Sequence, residues 1–395
     1  MLFSGNNNKP RKRSYYPFSK NYPSKSGNIY AIGESRTKSI REKRNRVIFY
    51  CSMVVLFAVV FVALSVAISL SRRPIDDSDS AKAGVFEGSY KAYYMPGDAL
   101  DGGIAYSLFR TTIAGGKANA VVIDFKTNDG RLCYKSSLET AVNIGADADA
   151  SPQALEVISR LKNDGYKIIA RISCFEDRLA ASMMLSAAVT EEDGSVWLDK
   201  SAREDGNPWL NPYSQQAREY LLEIIAESVD LGADAVLLDS VCFPDSSRID
   251  RAVFRGENQS IESRNSVLHS FVAAAAEVCR DVPVTVYQSA DSALNGNQTL
   301  YEGSMFDSDA LFNVVDFRTD AVGGAVTVGE RSIEKNDVNE NSLIQLSVPI
   351  LAKKLEDNFT TKGIIPVVDD EIYIATLQNM GIENYIIIKS ESQQQ

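Results

Sequence analysis

One histidine, His269, occurs among the 395 residues of this chain. It sits inside the helical pattern Val267-Leu-His-Ser-Phe-Val, which argues against a Ser-His-Asp triad and a histidine-based zinc site. Glycine-rich nucleotide loops are missing too. Gly323, Gly324 and Gly329 have the wrong spacing, and no Lys-Ser/Thr pair follows them. There is no Asp-x-Asp-x-Asp-Gly calcium loop and no internal repeat. The expectation is therefore a protein without metal or cofactor. Cysteines number five. Cys51 lies in an apolar run, Cys133 in a loop and Cys279 in a helical stretch. Cys174 and Cys242 end neighbouring strand patterns, each followed by Phe; they are either bridged in an oxidising exterior or two buried thiols.

Charge is absent from residues 47–70, while polarity is marked on either side. At about 1.5 Å per residue this run is about 36 Å long, enough to cross a bilayer with some tilt. Residues 1–46 hold twelve Lys or Arg against Glu34 and Glu42, a surplus of ten; the remainder holds 29 basic and 50 acidic residues. That asymmetry predicts a cytoplasmic amino terminus and an exterior remainder. A cleavable signal peptide would have a shorter basic region and a shorter apolar core. The expected organisation is a disordered basic tail (1–46), a signal anchor (47–70), a polar linker (71–88) and one large domain (89–390). The acidic exterior excludes nucleic acid as a partner and leaves the oligomeric state open.

Within that domain, short apolar runs alternate with helical patterns. Strands are predicted at 90–94, 119–126, 166–175, 235–241, 282–288, 313–318, 363–368 and 384–389. Helices are predicted at 151–164, 213–231, 260–280, 341–356 and 370–380, with Ser151-Pro152 as a start signal and Gly232 as a stop. Eight strands in βα alternation predict a closed (β/α)8 barrel of the TIM type.

In such a barrel the strand ends share one mouth. The run Ala235-Val-Leu-Leu-Asp239 reads as a strand buried on both faces and closed by a carboxylate. Asp124 and Lys126 finish the second strand and, by the period of two, share a face, as do Arg171 and Ser173. Glu176 and Asp177 follow the third strand, Asp291 the fifth, Asp316, Arg318 and Asp320 the sixth, and Asp369, Asp370 and Glu371 the seventh. So many carboxyls at one rim fit general acid–base work, and glycoside hydrolysis needs only a carboxyl pair. The alternative is a charge network without chemistry. Trp197, Trp209 and Tyr213, in or beside the insertion at 176–212, either stack on sugar rings or pack the loop.

Four segments in order, Asn119-Ala-Val-Val-Ile-Asp-Phe-Lys126, Ile169-Ala-Arg-Ile-Ser-Cys-Phe-Glu-Asp-Arg-Leu-Ala180, Trp209-Leu-Asn-Pro-Tyr213 and Leu238-Asp-Ser-Val-Cys-Phe-Pro244, carry a resemblance. Together they resemble a bacterial family of glycoside hydrolases with an α-amylase-like barrel, often membrane-anchored or secreted. The resemblance covers about residues 89–390. Ser240 and Cys242 stand where the family usually has Tyr and Arg, and Pro366-Val-Val-Asp369 where it has Pro-Trp-Leu-Gln. The resemblance implies an exterior-facing enzyme acting on a polysaccharide or envelope glycan. Asp239 is then the nucleophile or charge stabiliser, and Asp291, or as second choice Glu176, the proton donor. Asp124, Lys126, Arg171, Asp177 and Trp209 would bind substrate. The departures leave open a second function, a barrel without turnover that binds glycans or assists envelope assembly.

Overall fold

A computed structural model describes residues 89–257, 263–297, 300–301, 303–308, 310–356 and 363–389. The basic tail, the apolar run 47–70 and the linker lie outside the described residues; among those described, no helix is long and apolar enough to cross a membrane. Among the described residues there are ten strands: β1 (Lys91–Tyr94), β2 (Ala120–Lys126), β3 (Lys167–Ser173), β4 (Ala235–Asp239), β5 (Val284–Ser289), β6 (Phe312–Asp316), β7 (Ala325–Val328), β8 (Arg331–Glu334), β9 (Gly363–Val368) and β10 (Tyr385–Ile387). Eight of them close into a parallel barrel in the order β1-β2-β3-β4-β5-β6-β9-β10, and β7 and β8 form a separate antiparallel hairpin. Every predicted barrel strand is therefore in place.

The cause is visible in β4, whose five residues Ala-Val-Leu-Leu-Asp are all buried. Alternate residues, such as Ala235 and Leu237, fill the barrel interior with Val122, Ile169, Val314 and Val367. Those between them face a larger shell of helices. These are α1 (Gly103–Gly115), α2 (Glu139–Ile144), α3 (Ala154–Asn163), α4 (Arg178–Met183), α5 (Gln215–Asp230), α6 (Arg264–Cys279), α7 (Ala290–Asn295), α8 (Glu340–Glu356) and α9 (Ile374–Asn379). In α5, Ser214 caps the start by accepting from the Ala217 amide, and Leu221, Ile224 and Ile225 bury the inner face. Gly232, at φ 100°, takes the left-handed turn that stops it.

Two local expectations are corrected. Ser151 does not cap a helix: α3 begins at Ala154, and the Ser151 hydroxyl accepts from the Gln153 amide and donates to the Leu100 carbonyl. Residues 371–379 split into a 3-10 turn (Glu371–Tyr373) followed by α9. The β7–β8 hairpin, α1, α2, α4 and α7 are additional to the predicted elements. Gly329, at φ 63°, makes the hairpin's two-residue turn, so one of the glycines that fail as a phosphate loop serves as turn chemistry.

A β-bulge alters the expected face of Lys126. Asp124 pairs with Arg171, but Lys126, two residues on, pairs with Ile172, an outer-shell position. One residue too many has entered β2, so the alternation breaks and Lys126 leaves the interior. Its ammonium meets Asp177 at 2.9 Å and donates to the Ser173 carbonyl at 2.6 Å, with both charged side chains wholly buried. Asp177 also caps α4 through the Ala180 amide. Gly130 (φ 84°) passes so close that a Cβ there would stand 2.1 Å from Asp177 Oδ1. Lys126 and Asp177 thus brace the loops after β2 and β3 and do not line the mouth. Lys126→Met should cost about 3–5 kcal/mol in denaturant unfolding, because Asp177 is left as an unpaired buried charge. A loss below about 1 kcal/mol would show that the pair contributes little.

Candidate active site

The inward positions at the carboxyl ends of seven strands hold Tyr94, Asp124, Arg171, Asp239, Tyr287, Asp316 and Asp369, which continue the interior rows set by residues such as Val122, Ile169, Leu237, Val314 and Val367. Arg171 is the hub. Its Nη1 donates to Asp124 Oδ1 at 2.9 Å and its Nη2 to Asp239 Oδ2 at 2.5 Å. Its guanidinium lies over the Tyr287 ring, 5.7 Å from the centroid. The buried Nε has no partner among the described protein groups. Tyr94 donates to the other oxygen of Asp124 at 2.6 Å. Burial, and then Asp124, push the Tyr94 phenol up, so it stays a donor.

Asp239 is buried, and its second oxygen accepts from the Ser240 amide at 2.6 Å. Ser240 stands at φ 52°, a left-handed conformation that a non-glycine residue adopts at a cost. That turn aims the Ser240 hydroxyl at two carboxyls: Glu176 Oε2 at 3.2 Å and Asp239 Oδ1 at 3.5 Å. Glu176 also accepts weakly from Asn128, and the Ser173 hydroxyl holds the Glu176 carbonyl at 2.9 Å. Burial and, more weakly, the nearby Asp239 raise the Glu176 carboxyl above its ordinary range, against the Ser240 hydrogen bond. Glu176, Asp239, Asp124 and Arg171 are therefore gathered in one place.

The other expected site residues stand elsewhere. Asp291, in the first turn of α7, accepts from the Thr327 amide of β7 and from Asn295, both at 2.9 Å. It holds the hairpin. Trp209 is 8% exposed and its indole donates to Asp199 at 3.4 Å, so it packs the insertion instead of offering a ring face. Trp197 is wholly buried and bonds the Arg248 carbonyl. Cys174 and Cys242 are free thiols, both pushed up by burial.

Three further groups of the mouth escaped sequence reasoning: Tyr94, Tyr287 and Glu340. The two tyrosines could have been found by extending the inward parity from Asp124 and Asp239 to every strand. Tyr287 donates to Asp316, which Arg318 grips through Nε and Nη2. Glu340, the first residue of α8, is 3% exposed and accepts from the Asp369 amide at 3.1 Å. Burial, and then Asp369 beside it, push the Glu340 carboxyl up to about 8. An unfolded glutamate titrates near about 4.3, so the folded state holds the extra proton between the two values. Stability should fall as pH rises from about 4.3 to about 8 and then level. Glu340→Gln should flatten that part of a melting-temperature profile; an unaltered slope would mean that Glu340 titrates normally.

Solved structures similar to the chain include a hypothetical protein from Ruminiclostridium thermocellum, 24% identical over 49% of this chain and 96% of that one, TM-score 0.44. Another is the glycoside hydrolase domain of PelA from Pseudomonas aeruginosa, 13% identical over 76% of this chain and 94% of that one, TM-score 0.38. A third is an alpha-galactosidase from Thermus thermophilus, 11% identical over 50% of this chain and 38% of that one, TM-score 0.35. No curated protein matches the chain. The sequence profile of one family matches residues 94–294, the stretch from Tyr94 through β5 to α7 that supplies Asp124, Arg171, Glu176 and Asp239. The chain belongs to that family, described as "Putative glycosyl hydrolase domain".

Proposed function

We propose that the barrel hydrolyses glycosidic bonds in a polysaccharide or envelope glycan through a carboxyl pair, Asp239 and Glu176. The observation that carries this reading is the shared Ser240 hydroxyl, which draws both groups to one point of the mouth. Glu176, raised by burial, is the proton donor: it protonates the leaving oxygen as the glycosidic bond breaks. Asp239, paired with Arg171, faces the positive charge that develops on the sugar. Asp124 and Arg171 position the substrate and the nucleophile. Contacts of 3.2 and 3.5 Å to one hydroxyl keep the facing carboxyl oxygens within about 6.7 Å, which covers the roughly 5–5.5 Å of retaining enzymes and only the lower edge of the roughly 6.5–9.5 Å of inverting ones. Asp239 is then the nucleophile, and water releases the glycosyl-enzyme with Glu176 as base.

Asp239→Asn should abolish release of reducing sugar from a panel of cell-wall and storage glycans; an unchanged rate would remove Asp239 from the mechanism. Glu176→Gln should lower the rate by about 10²–10⁴ and erase the fall in activity at high pH. Asp291→Asn, measured alongside, separates the two donor assignments: a loss as large as that of Glu176→Gln would return the role to Asp291. Proton NMR of the first-formed anomer should show retention. Ser240 and Cys242, which replace the family's Tyr and Arg, favour the second reading of a glycan-binding barrel. Saturable glycan binding with no cleavage by the unaltered chain would select it.

The surplus of ten positive charges before an uncharged 24-residue run supports a single-pass anchor, with the amino terminus cytoplasmic and the barrel outside. Protease added to intact cells should then remove the barrel and spare residues 1–46; full protection of the barrel would reverse the topology.

A further inference from the structure

The carboxyl ends of β1 and β10 border a cavity of about 310 Å³ on the side of α1. Apolar side chains such as Ala105, Leu108, Phe109 and Ile387 predominate in its lining, and Asp98, Thr112 and Lys389 also border it. A second cavity, of about 340 Å³, differs in charge, with Asp101, Asp124, Arg131 and Asp149 in its lining. Tyr94 lines both. Its hydroxyl donates to Asp124, so one residue separates an apolar compartment from the acidic mouth. The apolar compartment continues outward. Leu108 on its rim is 67% exposed, and Ile104, one helical turn before it on the same face of α1, is 88% exposed. Ile104 is the most exposed large aliphatic side chain among the described residues, and with Leu108 it extends the apolar side of the cavity into water.

The geometry points to a binding site for the apolar part of an amphiphilic glycoside, with its sugar beside Asp124 and its aglycone between Tyr94, Leu108 and Phe109. The sugar half rests on the glycan reading of the mouth; the apolar half rests on this cavity alone. An acyl or alkyl chain would run out along Leu108 and Ile104, whereas a compact aromatic group would stop at Phe109. The shared chemistry is a glycoside whose aglycone leaves water on binding.

The test is calorimetric titration of the full chain carrying Asp239→Asn, purified without alkyl-glycoside detergent, so that nothing is cleaved. Methyl glucoside is the control without an apolar group; hexyl and phenyl glucosides carry one. At least tenfold tighter binding of either apolar glucoside is expected. Preference for hexyl indicates a lipid-type aglycone and preference for phenyl an aromatic one. Ala105→Trp, which fills the cavity, and Leu108→Asp, which charges its exposed rim and is open enough to fold, should each cut that preference to under threefold. Equal affinity for all three glucosides, no binding of any, or a preference that survives both substitutions would overturn the assignment. Failure of glycan hydrolysis in the unaltered chain, with the apolar preference intact, would instead count against the proposed activity and leave the cavity assigned.

Discussion

A guanidinium held between carboxylates from the two flanking strands is the contact on which the mouth of this barrel depends. Arg171 on β3 reaches Asp124 on β2 with one nitrogen and Asp239 on β4 with another. At an effective dielectric near 20, each such contact gains roughly 4 kcal/mol of Coulomb energy, most of which desolvation cancels. The contribution that remains is geometric. A planar fork with fixed donor directions sets where both carboxylates stand, which a lysine ammonium would not do. Tyr94 and the Tyr287 ring then restrict what Arg171 and Asp124 can do. From Arg171 the network runs through Tyr287 to Asp316 and Arg318 on one side, and through Asp239 and Ser240 to Glu176 on the other.

Two backbone irregularities shape this network. At Ser240 the chain turns left-handed directly after the β4 carboxylate, which is what lets a single hydroxyl face both Glu176 and Asp239. Strain of this kind persists where surrounding structure over-determines it. Here the Cys174 and Phe175 amides bond the Asp239 and Ser240 carbonyls and fix the turn from the β3 side. The bulge in β2 is the second irregularity, and it sorts Asp124 from Lys126.

The legible part of the molecule is the part governed by period and burial. Ala235–Asp239 could be placed because a short apolar run ending in a carboxylate fits an inner barrel strand and little else, and Asp124 and Arg171 followed from alternation. The same rule failed at Lys126, because a bulge adds a residue without leaving a signature in composition. Trp209 misled because an aromatic in a long insertion looks alike whether it packs the loop or faces a ligand; the insertion proved to be tied by its own bridges, such as Leu198 to Pro208. Asp291 sits in the first turn of a six-residue helix, where its carboxyl meets a hairpin that was not foreseen. Glu340 was invisible for a different reason: its partner Asp369 is 29 residues away, on another element.

The extra residue in β2 also acts as a charge filter. Were the alternation unbroken, the Lys126 ammonium would project into the same small space as the Arg171 guanidinium, and two cations would compete for Asp124 and Asp239. Displacing it by one position sends that charge through the wall of the barrel to a private counterion, Asp177. Among the described residues, Arg171 therefore stays the single permanent cation bonded to Asp124 and Asp239, with Glu176 beside them. The surplus of negative charge there is fixed by backbone geometry, not by composition.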